Sequence, residues 1–183
     1  MGSDDVACGG LAKAIEKHVP AIWRFALSLS GRPDMADDLT QSTCLRALER
    51  SHQFQPGGNL RGWVLSICRS IWLNEVRSMA IRKTGSLDGA TEADLIDLAP
   101  SQETNIFARQ VFQHVMELPE AQRSAVELVF VQQMTYREAA EVLGVPIGTI
   151  MSRLATARRK LASLNQPVPN RLGRSMNDGG LRA

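Results

Sequence analysis

Residues 135–164 read T-Y-R-E-A-A-E-V-L-G-V-P-I-G-T-I-M-S-R-L-A-T-A-R-R-K-L-A-S-L, two short helices joined by a tight Gly-containing turn, with the basic charge gathered on the second. Thr135 followed by Glu138 is a capping box: the hydroxyl takes the N3 amide and the carboxylate takes the N-cap amide. Gly144 suits the left-handed residue past a helix end, and Pro146 suits the opening of the next helix, where a missing N–H costs little. On that second helix Ile147, Ile150, Leu154, Ala157 and Leu161 recur at three- and four-residue spacing, while Ser152, Arg153, Thr156, Arg159 and Lys160 fall mostly on other faces. One face packs and another is free to enter a groove, so the pattern is that of a helix-turn-helix and the partner it implies is DNA. Charge alone would fit a solvated helical hairpin as well. The caps, the turn and the small Ala139-Ala140 pair favour the DNA reading.

Other chemistry is poorly represented. No Gly-rich phosphate loop, metal-ligand cluster or nucleophile-base-orienter set stands in the sequence, so no catalytic residue, metal or cofactor is expected. Cys8, Cys44 and Cys68 are odd in number and never paired as C-x-x-C, which points to reduced thiols. Cys44 and Cys68 sit in apolar helical patterns as small core residues. His18, His52 and His114 have no metal-ligand spacing. No stretch approaches the roughly 18 apolar residues of a membrane span and no signal peptide opens the chain, so a soluble cytoplasmic protein without membrane insertion is expected.

The 183 residues, 44% hydrophobic and with a net charge of +2, suffice for one ordinary domain or two small ones. Charge is unevenly spread. Residues 147–164 hold Arg153, Arg158, Arg159 and Lys160 without an acid, and residues 84–106 hold Asp88, Glu92, Asp94, Asp97 and Glu103 without a Lys or Arg. The reading is an all-α chain of two small helical domains joined by a flexible acidic linker. It divides into an N-terminal segment 1–10, a first lobe 11–83, a linker 84–104, a second lobe 105–164 and a fraying tail 165–183.

In the first lobe Leu11, Ile15, Val19, Ile22, Phe25, Ala26 and Leu29 form a helical stripe that Pro20 interrupts or kinks. A second helix starts with Asp34 as N-cap after Pro33 and runs through Leu39, Leu45 and Leu48. Gln55-Pro56-Gly57-Gly58-Asn59 reads as a loop. A long third helix covers roughly Leu60 to Arg82, with Val64, Ile67, Cys68 and Ile71 buried. In the second lobe, helices through Phe107, Val111, Val115 and Leu118, and through Ala125, Val126, Val129 and Phe130, lead into the helix-turn-helix.

Several of these stretches resemble a known family. L-P-E-A-Q-R-S-A-V-E-L (118–128) followed by residues 134–161 resembles region 4 of the extracytoplasmic-function (ECF, group 4) sigma factors of bacterial RNA polymerase. A-D-D-L-T-Q-S-T-C-L-R-A-L (36–48) is similar to their region 2.2, and N-L-R-G-W-V-L-S-I-C-R-S-I-W-L-N-E-V-R (59–77) to regions 2.3 and 2.4. The resemblance implies a non-catalytic specificity subunit, which binds core polymerase, recognises the −35 element with its second lobe, and recognises and opens the −10 element with its first. For the −35 element it points to Arg137, Thr149, Ser152, Arg153, Thr156, Arg158 and Arg159. For the −10 element it points to the loop residues Gln55, Gly57, Gly58 and Asn59 as a pocket for an extruded base, and to Ser66, Arg69, Ser70, Asn74 and Arg77 on the helix that follows. Asp37, Asp38, Leu39, Gln41 and Arg46 match the family's surface for the clamp coiled coil of the largest polymerase subunit. Trp63 is expected in the core; Trp72 fits core, interface or stacking.

The partners implied are core RNA polymerase, promoter DNA and an inhibitory anti-sigma factor, with a monomer when free. Two rivals stay open: an autonomous regulator whose first lobe senses or oligomerises, and a sigma-like mimic that only sequesters a regulator. The D-D-L-x-Q and G-W-V-L-S-I-C-R blocks weigh against the first, and the retained Arg153, Arg158 and Arg159 against the second.

Overall fold

The computed structural model describes residues 3–83 and 105–164; the expected linker and tail lie outside the described residues. Among the described residues eight α-helices follow in order: α1 (Ser3–Glu16), α2 (Val19–Ser30), α3 (Pro33–Glu49), α4 (Leu60–Lys83), α5 (Asn105–Met116), α6 (Glu120–Val126), α7 (Tyr136–Leu143) and α8 (Ile147–Leu164), with a 3-10 turn at Ser51–Gln53. Helix α1 begins upstream of the expected start near Leu11 and runs through Gly9-Gly10. Pro20 falls in the first turn of α2, where its missing amide breaks no bond, so the chain divides into two helices at Lys17-His18.

The expected Asp34 N-cap is corrected. Arg32 holds the N-cap position with extended backbone, Pro33 takes the first helical position, and Asp34 lies inside the first turn with its carboxylate accepting from the Arg32 guanidinium. Pro fits this position because the amide it lacks would be an orphan there anyway. The Arg32 side chain and the Met35 amide hold the Asp34 carboxyl below its usual range.

A second unanticipated feature interrupts the expected helix through Phe130. Glu127–Val131 is a single π-helical turn in which the Gln132 amide reaches back five residues to the Glu127 carbonyl at 2.9 Å. The wider turn leaves Phe130 and Val131 about half exposed, and Gln133 follows with φ at 55°.

The two lobes pack on one another. Helix α2 is buried around most of its circumference, through Ala21, Ile22, Phe25, Ala26, Leu27, Ser28 and Leu29, as befits a helix with neighbours on every side. It packs on α3 and α4 within the first lobe, and on α6 and the π turn of the second. Helix α4 in turn packs on α7. One continuous core therefore joins Phe25, Val64, Leu65 and Cys68 to Leu118, Leu128, Ile150 and Leu154. Cys68 is fully buried, and burial pushes its thiol up to about 12; Cys44 is half-buried, and both are free. Among the described residues no helix is long and apolar enough to cross a membrane.

Candidate nucleic-acid and protein interfaces

The helix-turn-helix has its expected caps. Thr135 Oγ1 accepts from the Glu138 amide at 3.2 Å, and Glu138 Oε2 accepts from the Thr135 amide at 2.8 Å. The Thr135 amide and the Thr135 hydroxyl, which also donates to Oε2, hold the Glu138 carboxyl below its usual range. Helix α7 ends in a Schellman arrangement: Gly144 has φ at 61°, its amide donates to the Glu141 carbonyl at 3.2 Å, and the Val145 amide donates to the Ala140 carbonyl at 3.0 Å. Helix α8 starts one residue after Pro146, whose carbonyl accepts from the Thr149 amide. Ile150, Leu154 and Ala157 are buried against the lobe.

Ile147 departs from the apolar stripe. It is 49% exposed and lies with Met151 on the outer face of α8. Ile150, three residues on, is the first residue of the stripe to be fully buried. Ile147 and Arg137 border a shallow depression at the turn.

Of the candidate −35 residues, Thr149, Ser152, Arg153, Thr156 and Arg159 lie along one side of α8, Arg158 stands apart on its other flank, and Arg137 is on α7. Ser152 is exposed, its hydroxyl donating to the Thr149 carbonyl, and Thr149 and Arg153 are half-buried. Arg159 is exposed and donates to the Thr156 hydroxyl at 3.2 Å. Arg158 stands 5.5 Å above the Phe130 ring, a cation–π contact that ties it to the π turn. Arg137 on α7 is exposed.

The candidate −10 loop is exposed at Gln55, Gly57, Gly58 and Asn59. Gly57 has φ at 84°, and a Cβ at Gly58 would come within 3.0 Å of the Gln55 carbonyl, so both glycines are demanded by the turn itself. Trp63 packs its ring on Phe54, centroids 5.2 Å apart, bracing the loop from beneath. Asn59 has a second job: its Oδ1 accepts from the Gly62 amide as a cap of α4. On α4, Ser70, Asn74 and Arg77 are exposed, with Arg77 donating to Asn74 Oδ1. Ser66 is half-buried and back-bonds to the Gly62 carbonyl. Arg69 lies apart from them, drawn against Glu120 of α6 with 2.7 Å between Nη1 and Oε1 and a side chain only 16% exposed. Trp72 is buried.

On α3, Asp37, Asp38 and Gln41 are exposed; Asp37 accepts from Trp23 Nε1 at 2.7 Å, and Arg46 pairs with Glu49 at 3.7 Å. Leu39 does not belong to that surface. It is 6% exposed and belongs to the core, where α3 packs on α2 and α4. The apolar residue that the face does offer is Leu45, 62% exposed and in helical register with Asp38 and Gln41. A lone leucine in a helical stripe carries no mark in the sequence to separate it from core.

A capped helix-turn-helix, set on a helical lobe that carries its own exposed glycine loop and polar helix face, defines a two-lobed helical protein of the transcription-factor class. Family models agree: residues 14–81 match Sigma-70 region 2, and residues 109–161 match Sigma-70 region 4. The chain is 38% identical over 146 residues to the ECF RNA polymerase sigma factor EcfG of Rhodopseudomonas palustris, covering 80% of each chain. It is 33% identical over 165 residues to the ECF RNA polymerase sigma factor SigC of Mycobacterium tuberculosis, covering 88% of each. Among solved structures, the sigma factor RpoE of Bartonella quintana, in complex with the anti-sigma factor NepR, superposes with a TM-score of 0.75 at 30% identity, covering 85% of this chain and 96% of that one. The chain belongs to the ECF family of RNA polymerase sigma factors, which are transcription-initiation factors.

Proposed function

We propose that this sigma factor joins core polymerase through the α3 face of Asp37, Asp38, Gln41, Leu45 and Arg46, and reads promoters with both lobes. An exposed leucine ringed by carboxylates and an amide is the composition of a polar-rimmed protein interface with an apolar anchor. The clamp coiled coil of the largest polymerase subunit is its partner. In the second lobe, the outward side of α8 enters the major groove at the −35 element, Thr149, Ser152, Arg153 and Thr156 reaching base edges while Arg137, Arg158 and Arg159 neutralise phosphate. In the first lobe, Gln55, Gly57, Gly58 and Asn59 cradle an unpaired −10 base, and Ser66, Arg69, Ser70, Asn74 and Arg77 track the single strand. The phosphodiester chemistry belongs to the polymerase. By analogy with the Bartonella quintana complex, an anti-sigma factor clasps the lobes and withholds them.

The observation that carries this reading is the co-occurrence in one chain of an open recognition helix and an exposed Gly-Gly loop leading into a polar helix face. Run-off transcription with purified core polymerase, on promoter fragments enriched from genomic DNA, tests it. Start sites dependent on this protein are expected, and Asp38→Ala with Gln41→Ala should weaken core association without loss of helicity. Unchanged core affinity would reject the α3 assignment; tight, specific operator binding by the protein without polymerase would favour an autonomous regulator.

A further inference from the structure

Met151 stands among the polar residues of α8 without being one of them. It is 54% exposed and opens the second turn of the helix, three residues after Gly148 and four before Ala155, both exposed as well. By helical register it lies on the flank away from Thr149 and Thr156 and in line with Arg158, with Gly148 and Ala155 between the two flanks. Ile147, one turn earlier on the same flank, lines the depression at the turn with Val145 and Pro146; Met151 does not.

A lone exposed methionine is ordinary on a protein surface. This setting is not ordinary. Residues 147–164 carry Arg153, Arg158, Arg159 and Lys160 and no acid, and the opening turns of a recognition helix are the part that meets base edges. Glycine weakens a helix relative to alanine. At Gly148 neither reason for tolerating it applies within the described residues: an added Cβ would meet nothing within 4 Å, and the backbone is not left-handed. What the missing side chain provides is clearance on the outside. With only hydrogen at 148 and a methyl at 155, the helix can settle deep in a groove, and Met151 is then the long apolar side chain that reaches the groove floor.

The chemistry of that reach is selective. Among the four bases only thymine puts a methyl group into the major groove, whereas cytosine presents an amino donor there. A thioether is unbranched, apolar and polarizable, so it packs on a methyl and is a poor acceptor for an amino group. We propose that Met151 is a specificity-determining residue whose thioether packs on the C5-methyl of a thymine in the −35 element. The proposal rests on the placement of α8 in the major groove given under the proposed function.

The test uses holoenzyme assembled from purified core polymerase and the full chain, as wild type, Met151→Ala and Met151→Leu, transcribing a library randomised over the −35 element. On the sequence that wild type prefers, each thymine of either strand is then replaced in turn by deoxyuridine, which removes only the methyl. At one thymine the replacement should lower wild-type transcription about fourfold, the effect of one buried methyl-sized group. Met151→Ala should be indifferent to that replacement, and Met151→Leu should keep part of the sensitivity. The fold is not at stake, since Met151 is exposed and alanine is the strongest helix former. Equal sensitivity of wild type and Met151→Ala at every thymine overturns the proposal, as does a preferred element made of G·C pairs alone. Transcription lowered by Met151→Ala to the same extent on every sequence also overturns it, and assigns the flank to a protein partner. A wild type without any −35 preference would remove the groove placement of α8 and Met151 with it, whereas a preference that persists unchanged in Met151→Ala would remove Met151 alone.

Discussion

Replacing Arg123 by Met keeps the aliphatic stem and deletes four hydrogen bonds. The guanidinium donates to Ser28 O at 2.6 Å and Leu29 O at 3.3 Å, at the end of α2, and to Met116 O at 2.9 Å and Leu118 O at 3.2 Å, around the end of α5. It thus sits at two helix C-termini, where the peptide dipoles favour a cation. The α2 carbonyls depend on it for a reason written in the sequence. Their ordinary helical donors would be the amides of Arg32 and Pro33; the first is turned to Ser30 Oγ, and the second does not exist. Burial lowers the Arg123 pKa while nearby Glu120 raises it, and a guanidinium stays charged through such shifts. Charged hydrogen bonds contribute about 1.5–3 kcal/mol each, but four on one group are not additive, and breaking a buried charged cluster costs about 3–5 kcal/mol. At roughly 2–4 °C per kcal/mol for a chain of this size, Arg123→Met should lower the thermal midpoint by about 6–20 °C. Circular dichroism at the helical band reads it. Arg123→Lys should recover only a minor part, since one ammonium cannot span two helix ends. A midpoint within about 2 °C of wild type, against the ~6 °C minimum derived above, would refute the assignment of these bonds as a stabilising clasp.

Two further outcomes follow from individual side chains. Glu127 is held above its usual carboxyl range chiefly by burial, against the lowering effects of Gln132 and Arg24. Its protonation therefore adds stability that is fully present below its unfolded pKa and is lost as pH rises through the folded value; Glu127→Gln should raise the thermal midpoint at pH 7 and lose that advantage on acidification toward pH 4, and a pH-independent difference would count against it. Thr156 can touch a thymine methyl but cannot make a bidentate guanine contact, so Thr156→Arg should create a new base preference of about 1–3 kcal/mol, whereas Arg159→Ala should lower affinity across all sequences. Transcription from a library randomised over the −35 element checks both, and an unchanged preference at every position would mean that Thr156 does not face the bases.

Local signals in the sequence were readable wherever a side chain acts on its own backbone. The Thr135-Glu138 box and Gly144 each answer to chemistry within a few residues, and so does the 55–59 loop. Asp34 was misread because Pro33 fits the first helical position as well as the one before it, and only the Arg32 backbone decides between them. The π turn leaves no mark, since it closes its helix and no apolar repeat continues beyond Val131 to display the shift. Leu39 and Leu45 have the same type and helical context, and only the placement of α2 tells the buried one from the exposed one. Least readable was the seam between the lobes. Arg123 meets carbonyls more than ninety residues earlier in the chain, and a carbonyl has no side-chain identity for a sequence to display.

The G-R-P end of α2 also bears on how the protein is made. Synthesis delivers the first lobe before residue 123 exists, and Leu29 precedes that arginine by 94 residues. At ribosomal speeds of roughly 5–20 residues per second, every nascent chain spends about 5–20 s with two α2 carbonyls open to water. During that interval the helix buried most completely in the finished molecule has its end unsealed and one side uncovered. The first lobe is therefore a provisional structure on the ribosome, and the second lobe completes it as well as adding a second reader.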